Sequence, residues 1–157
     1  MFRKNSLTVL FMLLLLVVVG CSSIVSAASD LTGSNADAET PQEVVENFYT
    51  WLLDYIGNRA EGEFHNPMVE RAYRDSNALS QSYIKELDRL MESDTPLGHD
   101  PLLCAQDVPQ FVEIKEMAIE GDQAVAQMGS SFPNHRFEVH LDKIEGTWKI
   151  TSIVCKQ

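Results

Sequence analysis

Residues 111–155 read FVEIKEMAIEGDQAVAQMGSSFPNHRFEVHLDKIEGTWKITSIVC, and this stretch decides the fold. Its apolar period is two, the mark of half-buried strands. Phe111 to Ile119 forms a first strand, with a phase slip near Lys115 that reads as a bulge. Gly121-Asp122 turns the chain into Ala124 to Phe132, and Pro133-Asn134 turns it again into Arg136 to Ile144. There Phe137, Val139 and Leu141 alternate with Arg136, Glu138, His140 and Asp142. Glu145-Gly146 makes a tight hairpin into Thr147 to Cys155, where Trp148, Ile150 and Val154 are expected to share one face. The four runs form an antiparallel meander.

Upstream the period lengthens to that of helices. Thr40-Pro41-Gln42-Glu43 is a start signal: Thr40 suits the N-cap, Pro41 the first helical position, and Glu43 completes a capping box. Val44, Phe48, Leu52 and Tyr55 follow at spacings of three and four, joined by Val45, Trp51 and Ile56, until Gly57 ends the helix. Asn66-Pro67 is expected to open a short second helix through Tyr73. A third starts at Ser80, with Leu79 and Ile84 spaced as a hydrophobic staple and Ile84, Leu87 and Leu90-Met91 as its apolar stripe. Between Asp94 and Gln110, Pro96, Gly98, Pro101 and Pro109 punctuate a long loop. Helices followed by a meander is an α+β order, with the sheet curled around the wide aromatic face of the first helix.

The chain has 157 residues, room for one domain with little left over. Its first residues are an address: Arg3 and Lys4, then an apolar run from Leu7 to Val19, shorter than the ~20 residues of a membrane span. Two cleavage readings compete. Val18-Val19-Gly20-Cys21 resembles the lipobox of bacterial lipoproteins, with Cys21 lipidated after removal of residues 1–20. Val25-Ser26-Ala27 instead suits ordinary cleavage to a soluble secreted or periplasmic product. A buried helix from residue 7 would leave Cys21 unexplained. Residues 21–40 then form a polar tether with an r.m.s. span on the order of 24 Å, and residues 41–157 form the domain. Without residues 1–20 the charge is 10 Lys+Arg against 23 Asp+Glu, a net of −13. So acidic a surface repels nucleic acid.

Apart from Cys21, the cysteines are Cys104 and Cys155. In an exported chain the remaining pair most simply forms one disulfide, pinning the Pro-rich loop to the last strand. Neither has a second Cys or His at ligand spacing, apart from His99 with two ligands still missing, so no metal site is expected. Glu61 to His65, EGEFH, reads as a solvated loop.

The helix PQEVVENFYTWLLDYIG, the segment NPMVERAY, the loop DPLLCAQDVP and the ending GTWKITSIVC together resemble a family of bacterial exported proteins of unknown function, DUF3828, many of them lipoproteins. The resemblance covers about residues 41–156, and DPLLCAQDVP is its most specific part. It implies an NTF2-like (cystatin-like) α+β cone, in which a curved four-stranded antiparallel sheet wraps N-terminal helices. It implies no activity.

Such cones often enclose a pocket, and some members are enzymes using an Asp, a His and a Tyr inside it. Asp54, Tyr55, Asp107, His135 and His140 supply those residue types here. The plainer readings are that Tyr55 lines the core, His140 alternates onto the polar strand face and Asp107 caps a turn. Trp51 and Trp148 are expected in the core, and either one, if exposed, is a candidate interface anchor. No nucleotide loop, GxSxG elbow, HExxH or CxxC appears, and no cofactor is expected. The candidate ligand-binding residues are Tyr49, Tyr55 and Asp107. Tyr49 and Tyr55 lie six residues apart, about 600° around the helix, so at most one faces a given pocket; the alignment with Phe48 and Leu52 favours Tyr55. The function expected is a non-catalytic binding or accessory module of the cell envelope, lipid-anchored to an inner or outer membrane, with a protein, peptide or small ligand as partner. The alternative is a small isomerase, dehydratase or hydrolase working in the cone's pocket.

Overall fold

The computed structural model describes residues 38–57 and 65–156; the leader, Cys21 and most of the tether lie outside the described residues, as do Glu61 and Glu63. The order is α1 (Pro41–Gly57), a 3-10 helix (Ala72–Asp75), α2 (Gln81–Glu92), β1 (Val112–Glu120), β2 (Gln123–Ser130), β3 (Arg136–Ile144) and β4 (Thr147–Cys155). The fold is α+β. The sheet is antiparallel with strand order β1-β2-β3-β4, and the helices lie on one face of it.

The caps behave as their chemistry requires. The Thr40 N–H donates to the Glu43 carboxylate at 2.8 Å, and the Glu43 N–H donates to Thr40 Oγ1 at 3.2 Å. Two orphan donors of α1 are thereby satisfied. Ser80 Oγ accepts from the Tyr83 N–H at the start of α2, with Leu79 and Ile84 both buried as the staple. The segment Asn66 to Tyr73 differs from expectation. Asn66 Oδ1 takes the N–H groups of Met68 and Val69, at 2.9 and 3.0 Å. Arg71 adopts a left-handed conformation (φ 57°), and only the single 3-10 turn Ala72–Asp75 follows. An Asx turn thus competes with the helix for the same backbone donors.

Val44, Val45, Phe48, Tyr49, Leu52 and Ile56 form the buried stripe of α1, which packs against β1, β2 and β4. Facing it, Phe137, Val139 and Leu141 of β3 are buried with Ala124, Ala126 and Met128 of β2. The Ile150 N–H and C=O bond to Ala78 and Ser80, so the segment leading into α2 runs along β4.

The expected bulge is present, between Ile114 and Glu116. A second one was not expected. On β3 and β4, His140 pairs with Ser152 and Leu141 with Ile150, which leaves Thr151 as an extra residue. The parity of β4 flips there. Val154 therefore does not share the face of Trp148 and Ile150: it is 40% exposed. Ile153 and Cys155 take the inward positions, opposite Val139 and Phe137.

Candidate functional site

The flip matters because it turns Cys155 toward the loop that builds the main cleft. Cys104 and Cys155 are joined, with their Cα atoms 5.3 Å apart. Around Cys104 the chain folds into a closed unit, with the Asp100 N–H on the Ala105 carbonyl and the Cys104 N–H on the Asp100 carbonyl, at 2.9 and 2.7 Å. Asp100 Oδ1 accepts from the Leu102 and Leu103 N–H groups, at 2.7 and 3.2 Å. Burial raises the Asp100 carboxyl above its ordinary pKa, and those two N–H donors work against the rise. Cys104 itself sits at φ 55°.

Three further ties hold this loop to the body. Leu102 and Leu103 are buried in the core. Tyr49 Oη donates to the Leu102 carbonyl at 3.0 Å. His135 Nε2 lies 3.0 Å from the Cys104 carbonyl and its Nδ1 lies 2.8 Å from Ser130 Oγ. A carbonyl can only accept, so Nε2 donates to it, and Nδ1 is the ring atom that meets the Ser130 hydroxyl.

Beside this loop lies a cleft of about 820 Å³, between Ile56 of α1, the Asn66–Val69 turn, Met91 of α2 and residues 97–108. Leu103 and Ala105 lie within it, and Asp107 stands exposed on its lip. Three apolar side chains at the cleft face water: Val69 at 69%, Leu97 at 42% and Val108 at 44% exposure. What sets these three apart from other exposed apolar residues is that they border one concavity.

The candidate residues do not converge. Tyr49 is buried beneath the loop, where desolvation pushes its phenol well above the ordinary pKa of 10.0. Of the two tyrosines it is Tyr49, and not Tyr55, that points inward. Tyr55 is half-buried; its hydroxyl donates to Glu70 Oε2 at 2.6 Å, and its ring borders a separate pocket with Trp51. Asp107 belongs to the cleft, Asp54 is exposed, and His135 is part of the loop's scaffold. His140 lies on the outer sheet face, 3.4 Å from Glu138. The Glu138 carboxyl is held down to about 2 by hydrogen bonds from Gln127 first and then Lys156. Among the described residues no three His, Cys, Asp or Glu side chains come together as a metal site. Trp148 is 8% exposed, as expected of a core residue, whereas Trp51 is only half-buried.

The cleft was not foreseen. Asp100-Pro101 carries the local signal of an Asx turn, but nothing in the spacing of Val69, Leu97 and Val108 shows that they meet.

No family model matches the chain. No curated protein matches it. A solved structure does. A chain of the type VI native effector-immunity complex Tae3-Tai3 from Ralstonia pickettii superposes with a TM-score of 0.56, at 20% identity, over 75% of this chain and 96% of that one. At that identity the likeness is one of fold.

Proposed function

We propose that this chain is a non-catalytic binding module of the cell envelope, held to a membrane through lipidated Cys21, and that it docks a protein partner over the cleft beside the Cys104 loop. The observation that carries the reading is the exposed apolar trio Val69, Leu97 and Val108 around a preformed concavity. Burying such side chains against a partner is favourable at roughly 25 cal/mol per Å², and the cross-linked loop bearing Leu97 and Val108 and the Asx turn bearing Val69 present them at little ordering cost. The likeness in fold to a chain of an effector-immunity complex supports a role in protein–protein assembly. An enzyme of the cone type would need an Asp, a Tyr and a His around one space, whereas Tyr49, Tyr55, Asp107 and His135 occupy different surroundings.

Site-specific photo-crosslinking in intact cells tests the docking. A crosslinker at Val69 or Val108 should capture one discrete protein, and Leu97→Asp should abolish that capture. A crosslinker at Val154, on the opposite sheet face, should capture nothing discrete. Capture from Val154 with none from Val69 or Val108 would move the interface to the outer face of the sheet.

A further inference from the structure

A second concavity lies apart from the cleft, and it has a different chemistry. Trp51 and Tyr55 are one helical turn apart on α1, with ring centroids 5.8 Å apart and planes at 44°. Across from them stand the end of the 3-10 helix and the two residues after it, Asp75, Ser76 and Asn77, which close a corner of about 310 Å³. The two rings are not loose. Trp51 rests against Phe48, with centroids 5.7 Å apart, and is only half-buried. The Tyr55 hydroxyl is tied to Glu70, and its ring meets His65 at 5.7 Å.

The acid in this corner differs from its neighbours. Glu70 is taken by Tyr55 and the Asn66 N–H, and Asp88 by Tyr73 and Arg74. Among the described residues, the Asp75 carboxylate has no hydrogen-bond or ion-pair partner. It is close enough to Tyr55 for its charge to add to the rise of that phenol's pKa, behind the larger effects of the Glu70 bond and burial. A cation of the chain itself, Lys149, reaches the edge of the corner, but its ammonium donates to the Asn77 carbonyl.

We propose that the corner walled by Trp51 and Tyr55, with Asp75 opposite, is a binding site for an organic cation: an alkylammonium or guanidinium group. Aromatic faces carry negative quadrupole potential and attract cations within about 6 Å, Trp most strongly. A nearby carboxylate adds a full charge. A metal ion is a poor match, because one carboxylate beside two rings offers too few oxygen ligands. An anion would meet Asp75. The space suits a trimethylammonium head, or the end of a lysine or arginine side chain. The cation could be a free small molecule or a side chain of a bound protein, and the two are separable by experiment. This site is independent of docking at the cleft.

The test is a titration of the full chain, followed by ligand-observed NMR and by tryptophan fluorescence. Only Trp51 and Trp148 are present to emit, and Trp148 is buried. The probes are choline, its uncharged isostere 3,3-dimethylbutanol, and the Nα-acetyl amides of lysine and arginine. At least one cation should bind saturably and about tenfold more tightly than the isostere. Asp75→Asn, at an exposed position, and Trp51→Leu should each weaken that binding about tenfold, while Val154→Ser, on the outer sheet face, should leave it unchanged. Preference for choline identifies a free quaternary ammonium, and preference for the lysine or arginine amide identifies a partner's side chain. Equal binding of the isostere, no saturation by any cation, or full affinity in Asp75→Asn would overturn the proposal, whatever happens at the cleft.

Discussion

Tyr49 shows how one hydroxyl can hold a loop. Its ring is buried against Phe48 and Phe137, and its Oη donates to the Leu102 carbonyl. Tyr49→Phe keeps the ring and leaves that buried carbonyl without its donor, so urea denaturation should show a loss of about 1–3 kcal/mol. The phenol's raised pKa sets a pH dependence as well. Above pH 10 the unfolded chain ionises at this residue while the folded chain keeps its proton. Stability should therefore fall as pH rises past 10, and less steeply in Tyr49→Phe. Glu138 works in the opposite sense. Its carboxyl sits at about 2 in the folded chain against 4.5 ordinarily, so between those values the unfolded state binds the proton and the native state does not. The stability that Glu138 contributes is present above pH 4.5 and is lost as pH falls toward 2. A Glu138→Gln variant should show a flatter acid limb in a urea titration series, and an unchanged limb would count against this assignment.

At the scale of elements, the disulfide and the bulge act together. Thr151 shifts the register of β4, Cys155 turns inward, and the loop around Cys104 is joined to the end of the sheet. The bond closes a loop with a sequence separation of 51. On the chain-entropy model that constraint stabilises by up to about 4 kcal/mol. The folded loop has other anchors: Leu102, Leu103, Tyr49 and His135. Replacing both cysteines with serine should thus lower the urea midpoint clearly, while amide exchange at Leu102 and Leu103 stays slow below the transition. Fast exchange there would mean that the disulfide alone holds the wall of the cleft.

For the whole molecule, the proposed attachment to a membrane rests on Val18-Val19-Gly20-Cys21. Cys21→Ser should abolish lipid labelling and release the protein from the membrane fraction, and a variant that stays bound would rule out the lipobox. The sequence by itself determined what local pattern can encode. The capping box at Thr40 and Glu43, the staple at Leu79 and Ile84, the period of two after Phe111 and the slip at Lys115 each depend on residues whose spacing is visible along the chain, and the pairing of Cys104 with Cys155 follows from their being the two cysteines left over. The tertiary structure decided the rest. The second bulge arises from pairing between β3 and β4, so the inward turn of Ile153 and Cys155 could not be read from the alternation of β4 alone. Asn66 to Tyr73 had a helix-like start, yet an Asx turn and the burial of Tyr73 prevailed. Tyr49 rather than Tyr55 became the inward residue because the Leu102 carbonyl waits above it, 53 positions along the chain. The cleft and the Trp51–Tyr55 corner, each assembled from segments far apart in sequence, exist only where the packed core brings those segments together, since burial energy depends on which surfaces meet and not on their order along the chain.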